Sequence, residues 1–426
     1  MTTTANRNKS KPAKPYLDFP LFAHPNGQWC KKFKGIPKYF GKWEAPDSAL
    51  QEYRERREGI RLGRDPKFHA KIPVDDSITA ADTVNLYLET QDSRRKRGEI
   101  TDRHFSDCIL TCRRLLEHFG RYITTADLHP SHFTRFRDSF PETWGATRTE
   151  TEIARVQAIF RWAEKADVID TAPKFGPNFR KPGKRVKRRE KAKHEAEHGK
   201  NEFTATEIRS LLGDSGDWLS ACILLGINAG FGNRDCSALH ESHIDFEAGW
   251  YELRRGNTGI VRRANLWPET RQAIQNAMGE RPIAALKKNN CLCFLSRRGN
   301  PLVNEIRSET GTLSVSDNIS TACSKVVKQL GLTRKGRNFY SLRRTFETVG
   351  GNSQDQVAVN YSMGHEDESM ATVYCQGIDD QRLIDVAEHV RQWLWTRKCE
   401  ACGETQFSVD DDWKCEICDQ VNSIHK

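Results

Sequence analysis

Long hydrophobic runs are what this sequence most clearly lacks. No apolar stretch approaches the roughly 20 residues that a membrane-spanning helix requires. The opening segment, Met1 to Lys14, is polar and basic and has no apolar stretch of the kind that a secretory signal needs. We therefore expect a cytoplasmic protein that has no membrane partner. We also expect its first 20 residues to form a disordered basic tail.

The cysteines do not follow the pattern of a disulfide framework. Their number, 13, is odd, and nine of them are scattered through segments that look helical or strand-like. That distribution suits reduced and buried thiols. A motif for binding ATP is also missing from the sequence. These absences argue against a disulfide-stabilised secreted protein and give no support to an ATP-dependent enzyme.

Positive charge is in excess, with 67 Lys and Arg against 57 Asp and Glu and a formal net charge of +10. Such an excess favours a polyanionic partner, although a basic protein without one would show it too. A chain of 426 residues is also too long for one ordinary core. We therefore predict a protein of about two to four domains.

A basic and aromatic segment, Trp29 to Trp43, predicts a β-hairpin that turns at its central GIP triplet. The lysines Lys31, Lys32 and Lys34 could contact DNA phosphates while the neighbouring rings pack a small core. An ordinary solvated hairpin would show the same pattern. We assign residues 21–75 to this N-terminal unit.

Apolar residues recur with helical spacing between residues 76 and 180. The pattern predicts a domain of four or five helices whose apolar faces form its core. One such stripe consists of Phe105, Cys108, Ile109, Cys112, Leu115, Leu116 and Phe119.

A strongly basic segment follows at residues 181–202. It holds eight Lys or Arg in its first 13 residues and has no apolar periodicity, so we expect an extended linker. We expect it to lie along DNA, where it would contact phosphates without specifying bases. A solvated connector is the alternative. The residues assigned to the contact are Lys184, Arg185, Lys187 and Arg188.

A further domain, residues 203–396, begins with a capping-box pattern from Thr204 to Glu207. Two strands are predicted downstream, Trp250 to Arg255 and Ile260 to Trp267, and Pro268 suits the first turn of the next helix. Most of the remaining segments look helical. The predicted fold class is therefore α+β, mainly α with small β elements.

Two motifs near the end of this domain have residues suited to chemistry. FYSLRRTF contains Arg343, and MGHEDESMATVYCQ contains a Gly-His pair at His365 and a tyrosine nine residues later, Tyr374. These residues and spacings resemble the C-terminal active-site region of tyrosine recombinases, the phage integrase family. Upstream, INAGFGNRDCSALHESHIDFEAGWYEL resembles the stretch that contains the family's first catalytic arginine.

The resemblance implies a reaction at a DNA phosphodiester. Cleavage without a metal needs a nucleophile, positive donors for the phosphoryl oxygens and an acid for the leaving oxygen. In the family pattern Tyr374 would form a 3'-phosphotyrosine link, so neither a nucleotide cofactor nor a catalytic metal would be needed. Arg343 would bind a non-bridging oxygen and His365 would add a hydrogen bond. Tyr340, where the family often has histidine, is a candidate proton donor.

The sequence departs from the family pattern at the first catalytic arginine. Gly232 stands at that position, and Asp235 stands where the acidic neighbour of the arginine normally lies. We expect Arg234 to supply the missing guanidinium from the same turn. A surface role for Arg234 is the alternative.

A second departure is Asn257, which stands where the family has the lysine that protonates the leaving oxygen. An amide is a poor acid, and arginine is a reluctant one because its pKa exceeds about 12. Arg255 is in addition assigned to DNA contact. The arginines that could supply charge here are Arg254, Arg255, Arg262 and Arg263.

The resemblance covers most of the chain and extends to bacterial integrase-like proteins through HPNGQWCKK, GFGN and DQVAVNYSMGH. It implies an N-terminal arm-type DNA-binding unit, a helical core-binding domain and a catalytic domain that clamp double-stranded DNA. A homotetramer on synapsed sites would carry out recombination for a mobile element in the nucleoid. The two departures leave a second hypothesis open, a recombinase-derived DNA-binding protein that is impaired in catalysis.

Four cysteines near the C-terminus form two Cys-x-x-Cys pairs with twelve residues between them. This spacing is typical of a zinc ribbon, in which four thiolates make a closed structural site. A segment of about 30 residues has too little core to fold without such a site. Unliganded cysteines or a disulfide are the alternatives. We predict a zinc ribbon over residues 397–426, with ligands Cys399, Cys402, Cys415 and Cys418.

Overall fold

The computed structural model describes residues 11–16, 18–33, 36–61, 78–254, 261–307, 313–365, 377–410 and 412–423. The chain divides into two compact units, Met1–Ser77 and Ile78–Lys426. Helices are the main elements, and the strands form small antiparallel sheets. The predicted α+β class is therefore confirmed.

The N-terminal unit is a three-stranded antiparallel sheet with one helix packed on it. The elements are β1 (Phe22–His24), β2 (Gln28–Phe33), β3 (Ile36–Lys42) and α1 (Pro46–Arg61). The predicted hairpin is formed by β2 and β3, which pair in antiparallel register. Two tryptophans fasten its open end, because Trp29 Nε1 donates to Trp43 O at 3.2 Å and Trp43 Nε1 donates to Gln28 O at 3.0 Å.

The core of this unit reaches into the segment predicted as a tail. Phe19 is buried and its ring packs edge-on against Trp29, with ring centroids 4.9 Å apart. Residues 11–16 contain no helix or strand. The rest of the predicted tail, residues 1–10 and Leu17, lies outside the described residues.

The second unit begins with four helices, as the apolar stripes predict. They are α2 (Ala80–Lys96), α3 (Asp102–Phe119), α4 (Pro130–Asp138) and α5 (Ala146–Lys165). Thr79 and Thr101 cap α2 and α3 through their hydroxyl groups. The stripe on α3 faces a core shared with the other three helices. A buried ion pair joins α3 to α5, with Arg114 Nη2 2.7 Å from Glu152 Oε2.

The predicted extended linker is wrong over most of its length, because Lys184–His198 form a helix, α6. Glu190 accepts a hydrogen bond from the main-chain N–H of Ala146 at 2.7 Å, and Lys187 pairs with Glu150, so α6 is fastened to α5. None of the residues of α6 is buried, so the helix needs no apolar stripe, and the sequence shows none. Lys, Arg, Glu and Ala all favour helix without any core contact.

The remainder of the second unit is built around α8, in which ten of 13 residues are buried. The helices are α7 (Ala205–Gly213), α8 (Asp217–Ala229), α9 (Asn233–Ser237), α10 (Pro268–Gly279), α11 (Asn318–Gln329), α12 (Tyr340–Gly351), α13 (Gln356–Met363) and α14 (Asp380–Trp395). The strands are β4 (Ile244–Asp245), β5 (Trp250–Arg254), β6 (Val261–Asn265), β7 (Val303–Arg307) and β8 (Leu313–Asp317), followed near the C-terminus by β9 (Thr396–Lys398), β10 (Thr405–Phe407), β11 (Asp412–Lys414) and β12 (Val421–Ser423).

Local predictions in this region are confirmed. Thr204 and Glu207 form the predicted capping box at the start of α7. The strands β5 and β6 pair as predicted, and Pro268 is the first residue of α10. Burial raises the pKa of the Cys293 thiol to about 12, which keeps it neutral as expected of a core cysteine. In the part of the chain that the structure describes, no helix is long and apolar enough to span a membrane.

The β7–β8 hairpin reaches back to the first helices of the unit. Arg307 Nη1 lies 3.5 Å from Asp102 Oδ1, and the Arg307 guanidinium is 4.6 Å from the centre of the Phe105 ring. Leu313 N donates to Ser106 Oγ at 3.4 Å. The hairpin thus joins the four-helix segment to the rest of the unit at a place separate from α6.

Candidate active site

Arg343 lies on α12 between the C-terminal ends of two other helices. Its guanidinium donates to the main-chain oxygen of Gly230, directly after α8, and to that of Met363, the last residue of α13, at 3.0 Å. The last carbonyls of a helix have no partner inside it. The buried Arg343 therefore satisfies both helix ends at once.

Gly230 allows this close approach. It has a left-handed backbone with φ of 65°, and a Cβ there would lie 2.9 Å from Phe346 and 3.0 Å from Met363. Only glycine fits both the conformation and the space.

Arg262, on β6, bonds the two carbonyls next to those of Arg343. Its Nη2 donates to Ala229 O at 2.6 Å, and its Nε donates to Ser362 O at 2.8 Å. The guanidinium lies 4.0 Å from the centre of the Phe231 ring, and the side chain is 1% exposed. Two arginines thus hold two successive carbonyls at the end of each helix.

Asp235 stands where the two guanidinium groups approach each other. Its Oδ2 is 3.0 Å from Arg262 Nη1 and 3.9 Å from Arg343 Nη1. The same oxygen accepts the main-chain N–H of Gly232 at 2.9 Å. The carboxylate therefore fixes the turn that begins α9 and also lies beside both arginines.

His365 follows directly after α13 and its left-handed Gly364. Its main-chain N–H donates to Asn360 O at 2.9 Å, which closes the end of the helix. Because Arg343 holds the carbonyl of Met363, the histidine comes two residues after a point fixed by that arginine. The chain thus brings His365 to the region of Arg343.

Tyr340, the first residue of α12, also belongs to this region. Its side chain is 45% exposed, and two atoms of its ring would lie 3.6 Å from a Cβ on Gly232. Tyr340 therefore lies beside the Gly232 turn, and Arg343 approaches it through Asp235, whereas His365 is located only by its main chain at the end of α13.

Arg234 is not brought to Arg343 in the structure. Its guanidinium forms an ion pair with Glu305 on β7, and its side chain is 56% exposed. To supply the guanidinium missing at Gly232, it would have to leave that pair. Its proposed role therefore stays a prediction.

The hairpin arginines that the structure describes are engaged elsewhere. Arg262 is buried and bonds the main-chain carbonyls of Ala229 and Ser362, as described above. Arg263 forms a bidentate ion pair with Asp380, from Nε to Oδ1 at 3.0 Å and from Nη2 to Oδ2 at 2.8 Å. Its Nη1 also pairs with Glu252 Oε2 at 2.7 Å. Both side chains therefore have acceptors within the protein.

Several predicted site residues lie outside the described residues. They are the nucleophile Tyr374, the DNA-contact candidates Lys34 and Arg255, and Asn257 at the position of the missing lysine. The Arg254 side chain also lies outside the described part.

The basic side chains predicted to contact DNA are largely at the surface. Lys184, Arg185 and Arg188 are exposed on α6, whereas Lys187 is half-buried in its ion pair with Glu150. On β2, Lys32 is exposed and Lys31 is half-buried. Each of these groups presents positive charge within its own unit.

The four C-terminal cysteines form one cluster. Their sulfur atoms all lie within 4.8 Å of one another, with Cys399 to Cys418 at 3.5 Å and Cys402 to Cys415 at 3.6 Å. Zinc with bonds of about 2.3 Å would place tetrahedral sulfurs about 3.8 Å apart. A disulfide needs about 2.05 Å. The cluster therefore fits a tetrahedral metal ion.

Each Cys-x-x-Cys pair has the same backbone turn. Gly403 N donates to Cys399 O at 3.0 Å, and Asp419 N donates to Cys415 O at 2.9 Å. Both donor residues have positive φ, 77° and 58°. Hydrogen bonding by the main-chain N–H of Cys402 lowers the pKa of the Cys399 thiol to about 6. The pKa of the Cys418 thiol is raised to about 12, so the two facing thiols do not titrate alike.

Sequence reasoning missed the role of Arg262 as a buried link. A signal was present, because Ala264 points into the core and strand residues two apart share a face. The same alternation predicts that Arg262 lies on the buried side of β6. Its partners could not be foreseen, since Ser362 lies 100 residues away in the chain.

No family model matches the sequence, and no curated protein matches it. Solved structures of integrases do match. A Tn1549 transposon integrase in complex with a circular intermediate DNA has a TM-score of 0.51 at 16% identity, over 74% of this chain and 100% of that chain. A lambda integrase tetramer bound to a Holliday junction has a TM-score of 0.50 at 15% identity, over 84% and 98% of the respective chains.

A second Tn1549 transposon integrase complex, with transposon right end DNA, has a TM-score of 0.50 at 14% identity, over 74% of this chain and 99% of that chain. At these identities the likeness shows the fold. The chain has the tyrosine recombinase fold of the integrases, with a C-terminal four-cysteine cluster that is compatible with a zinc ribbon.

Proposed function

We propose that this chain is a site-specific recombinase that cleaves and rejoins double-stranded DNA through a 3'-phosphotyrosine intermediate at Tyr374. One observation carries the proposal: Arg343 is held between the ends of α8 and α13, with His365 two residues beyond the carbonyl it bonds. The sequence spacing of Arg343, His365 and Tyr374 matches this arrangement. The integrase fold supports it.

In the proposed reaction, the Tyr374 hydroxyl gives up its proton to solvent and its oxygen forms a bond to phosphorus. The bond from phosphorus to the 5' oxygen breaks, and that oxygen takes up a proton. Rejoining reverses these steps with a different 5'-hydroxyl as the nucleophile. No bond energy is lost, so no nucleotide cofactor is consumed.

Arg343 would stabilise the negative charge that builds up on the phosphoryl oxygens. A guanidinium fixed by two main-chain carbonyls is already in position, so little reorganisation is needed as the charge develops. His365 would donate a further hydrogen bond, and Tyr340 is the candidate for protonating the leaving oxygen. Tyr340 is half exposed at the first turn of α12, which suits contact with DNA.

DNA would be held by the basic surfaces. The exposed lysines and arginines of α6 favour contact with phosphates, which position the protein without reading bases. Lys31 and Lys32 on the N-terminal sheet would add a second contact. By analogy with the lambda integrase tetramer on a Holliday junction, we propose that a synapsed homotetramer performs strand exchange.

A structural zinc ion at the four-cysteine cluster is part of the proposal. The sulfur distances and the two matching turns favour it. When bound, zinc would supply only a fixed tetrahedral link, because four protein ligands leave no open position for chemistry.

A second candidate function is a recombinase-derived DNA-binding protein that does not cleave. Gly232 favours this alternative because the first arginine of the family pattern is missing and Arg234 is paired with Glu305. In that case Arg343 and Arg262 would only stabilise the fold.

Covalent trapping separates the two functions. The full chain would be incubated with nicked suicide DNA that contains its verified attachment sequence, and adducts would be resolved by denaturing electrophoresis. We expect an adduct from the wild type and none from Tyr374→Phe. Arg343→Lys should give strongly reduced adduct and a somewhat lower unfolding midpoint, because a lysine cannot bond both helix-end carbonyls as the guanidinium does. Binding without any adduct would overturn the recombinase proposal, and an adduct that persists in Tyr374→Phe would overturn the assigned nucleophile.

A further inference from the structure

We propose that Arg262 is a positioning residue that neutralises Asp235 and thereby keeps the Arg343 guanidinium available for the DNA phosphate. The inference rests on the proposed recombinase function. It assigns a role to an arginine outside the pattern of Arg343, His365 and Tyr374.

Arg262 and Arg343 share one carboxylate, that of Asp235. Asp235 Oδ2 is 3.0 Å from Arg262 Nη1 but 3.9 Å from Arg343 Nη1. Attraction between charges increases as distance falls and as water is excluded, and both arginines are buried. The carboxylate is therefore paired with Arg262 first and with Arg343 second.

Loss of the Arg262 charge would change the surroundings of Asp235. Asp235 would then stand beside Arg343 with its nearest described positive partner removed. A carboxylate in that position would draw the Arg343 guanidinium toward itself and offset the charge that the phosphate needs. Arg343 would then be the nearest described cation to Asp235 Oδ2, and attraction between opposite charges favours a closer approach.

Arg262 also fixes the spacing of the two helix ends that Arg343 bridges. Arg262 holds Ala229 and Ser362, the residues next to the two carbonyls that fix Arg343. It therefore keeps the ends of α8 and α13 at the spacing that Arg343 bridges. His365 follows three residues after Ser362, so its placement depends on the same link.

Arg262 is not placed to contact DNA itself, because each of its three guanidinium nitrogens already faces a protein acceptor. These acceptors are Ser362 O, Ala229 O and Asp235 Oδ2. Any effect on the reaction must therefore pass through Asp235 and the two helix ends.

The test compares Arg262→Gln with the double variant Arg262→Gln, Asp235→Asn. Arg263→Gln is the matched control, because it is the next residue on the same strand and pairs with Asp380 and Glu252 instead. The rate of Tyr374-linked adduct formation on suicide DNA, the DNA dissociation constant and the thermal unfolding midpoint are measured for each full-length protein.

We expect Arg262→Gln to slow adduct formation by about 100-fold while the DNA dissociation constant changes by less than about threefold, as for a loss confined to the transition state. Adding Asp235→Asn should recover about tenfold, because coupled charges give non-additive effects of this size. Arg263→Gln should stay within about threefold of the wild type, since its ion pairs are half exposed.

A purely structural role for Arg262 would give no recovery in the double variant, and that result would overturn the inference while the recombinase function stands. If Arg262→Gln does not fold, Arg262→Met, which also removes the charge, gives the same comparison with and without Asp235→Asn. Absence of a Tyr374-dependent adduct from the wild type would instead overturn the proposed function, and the inference with it.

Discussion

Among single residues, Gly232 most directly concerns the chemistry. Its backbone, with φ of −96° and ψ of 175°, is one that any L-residue adopts. A Cβ there would meet Asp235 Oδ2 and the Tyr340 ring at 3.6 Å, an ordinary contact. The position therefore accepts a Cβ that would lie beside the candidate site, although the sequence provides none.

This observation predicts a gain of activity from Gly232→Arg. A second guanidinium beside the phosphate should speed adduct formation by about tenfold to 100-fold, somewhat less than the loss usually seen when one preorganised donor is removed. Adduct formation on suicide DNA measures the effect. Gly232→Met, which has a long side chain without charge, is the control. Equal rates for Gly232→Arg and Gly232→Met would show that charge at this position does not help.

Two elements have little or no apolar core of their own. Helix α6 has no buried residue, and its support comes from pairs such as Lys191 with Glu195 and from bonds to α5. Among the described residues of the C-terminal segment, the buried core cluster consists of Cys399, Trp413 and Cys415. So small a core agrees with the proposal that a zinc ion supplies further stability.

The ribbon leads to a prediction on metal content. The purified protein should contain about one zinc ion per chain, and Cys415→Ser should contain none, because a structural site needs all four ligands. Inductively coupled plasma mass spectrometry measures the content. Cys291→Ser changes a thiol outside the cluster and should retain the ion. Zinc retained by Cys415→Ser would contradict the assignment.

In the whole second unit, the four-helix segment is joined to the remainder both by α6 and by the β7–β8 hairpin. Arg307 is central to the hairpin contact, since it lies near Asp102 and Asp92 and over Phe105. The Arg307 contacts therefore tie the hairpin to α2 and α3.

We therefore expect Arg307→Ala to loosen the hairpin. Hydrogen exchange in β8 should quicken by about fivefold, which corresponds to about 1 kcal/mol for a half-exposed ion pair and a cation–π contact. The effect should shrink in 1 M salt, where exposed charges are screened within about 3 Å. Arg103→Ala is the control, because Arg103 pairs with Asp107 on its own helix. Unchanged exchange in Arg307→Ala would show that the contact does not hold β8.

Much of the organisation was predictable because it depends on residues close together in the chain. The apolar stripes predicted α2 to α5, the capping box at Thr204 predicted the start of α7, and strand alternation predicted the β5–β6 hairpin. Cysteine spacing predicted a cluster that the folded chain assembles. The motif around Arg343 and His365 predicted which segments would meet.

Only the tertiary structure decided where the charged side chains go. Arg343 reaches Gly230 across 113 residues, and Arg262 reaches Ser362 across 100. Arg234, one residue from Asp235, turns instead to Glu305. Helix periodicity, caps and hairpins follow from short-range sterics and hydrogen bonds, which the local sequence determines. Ion pairs follow from distance and burial in the folded chain, which no local pattern specifies.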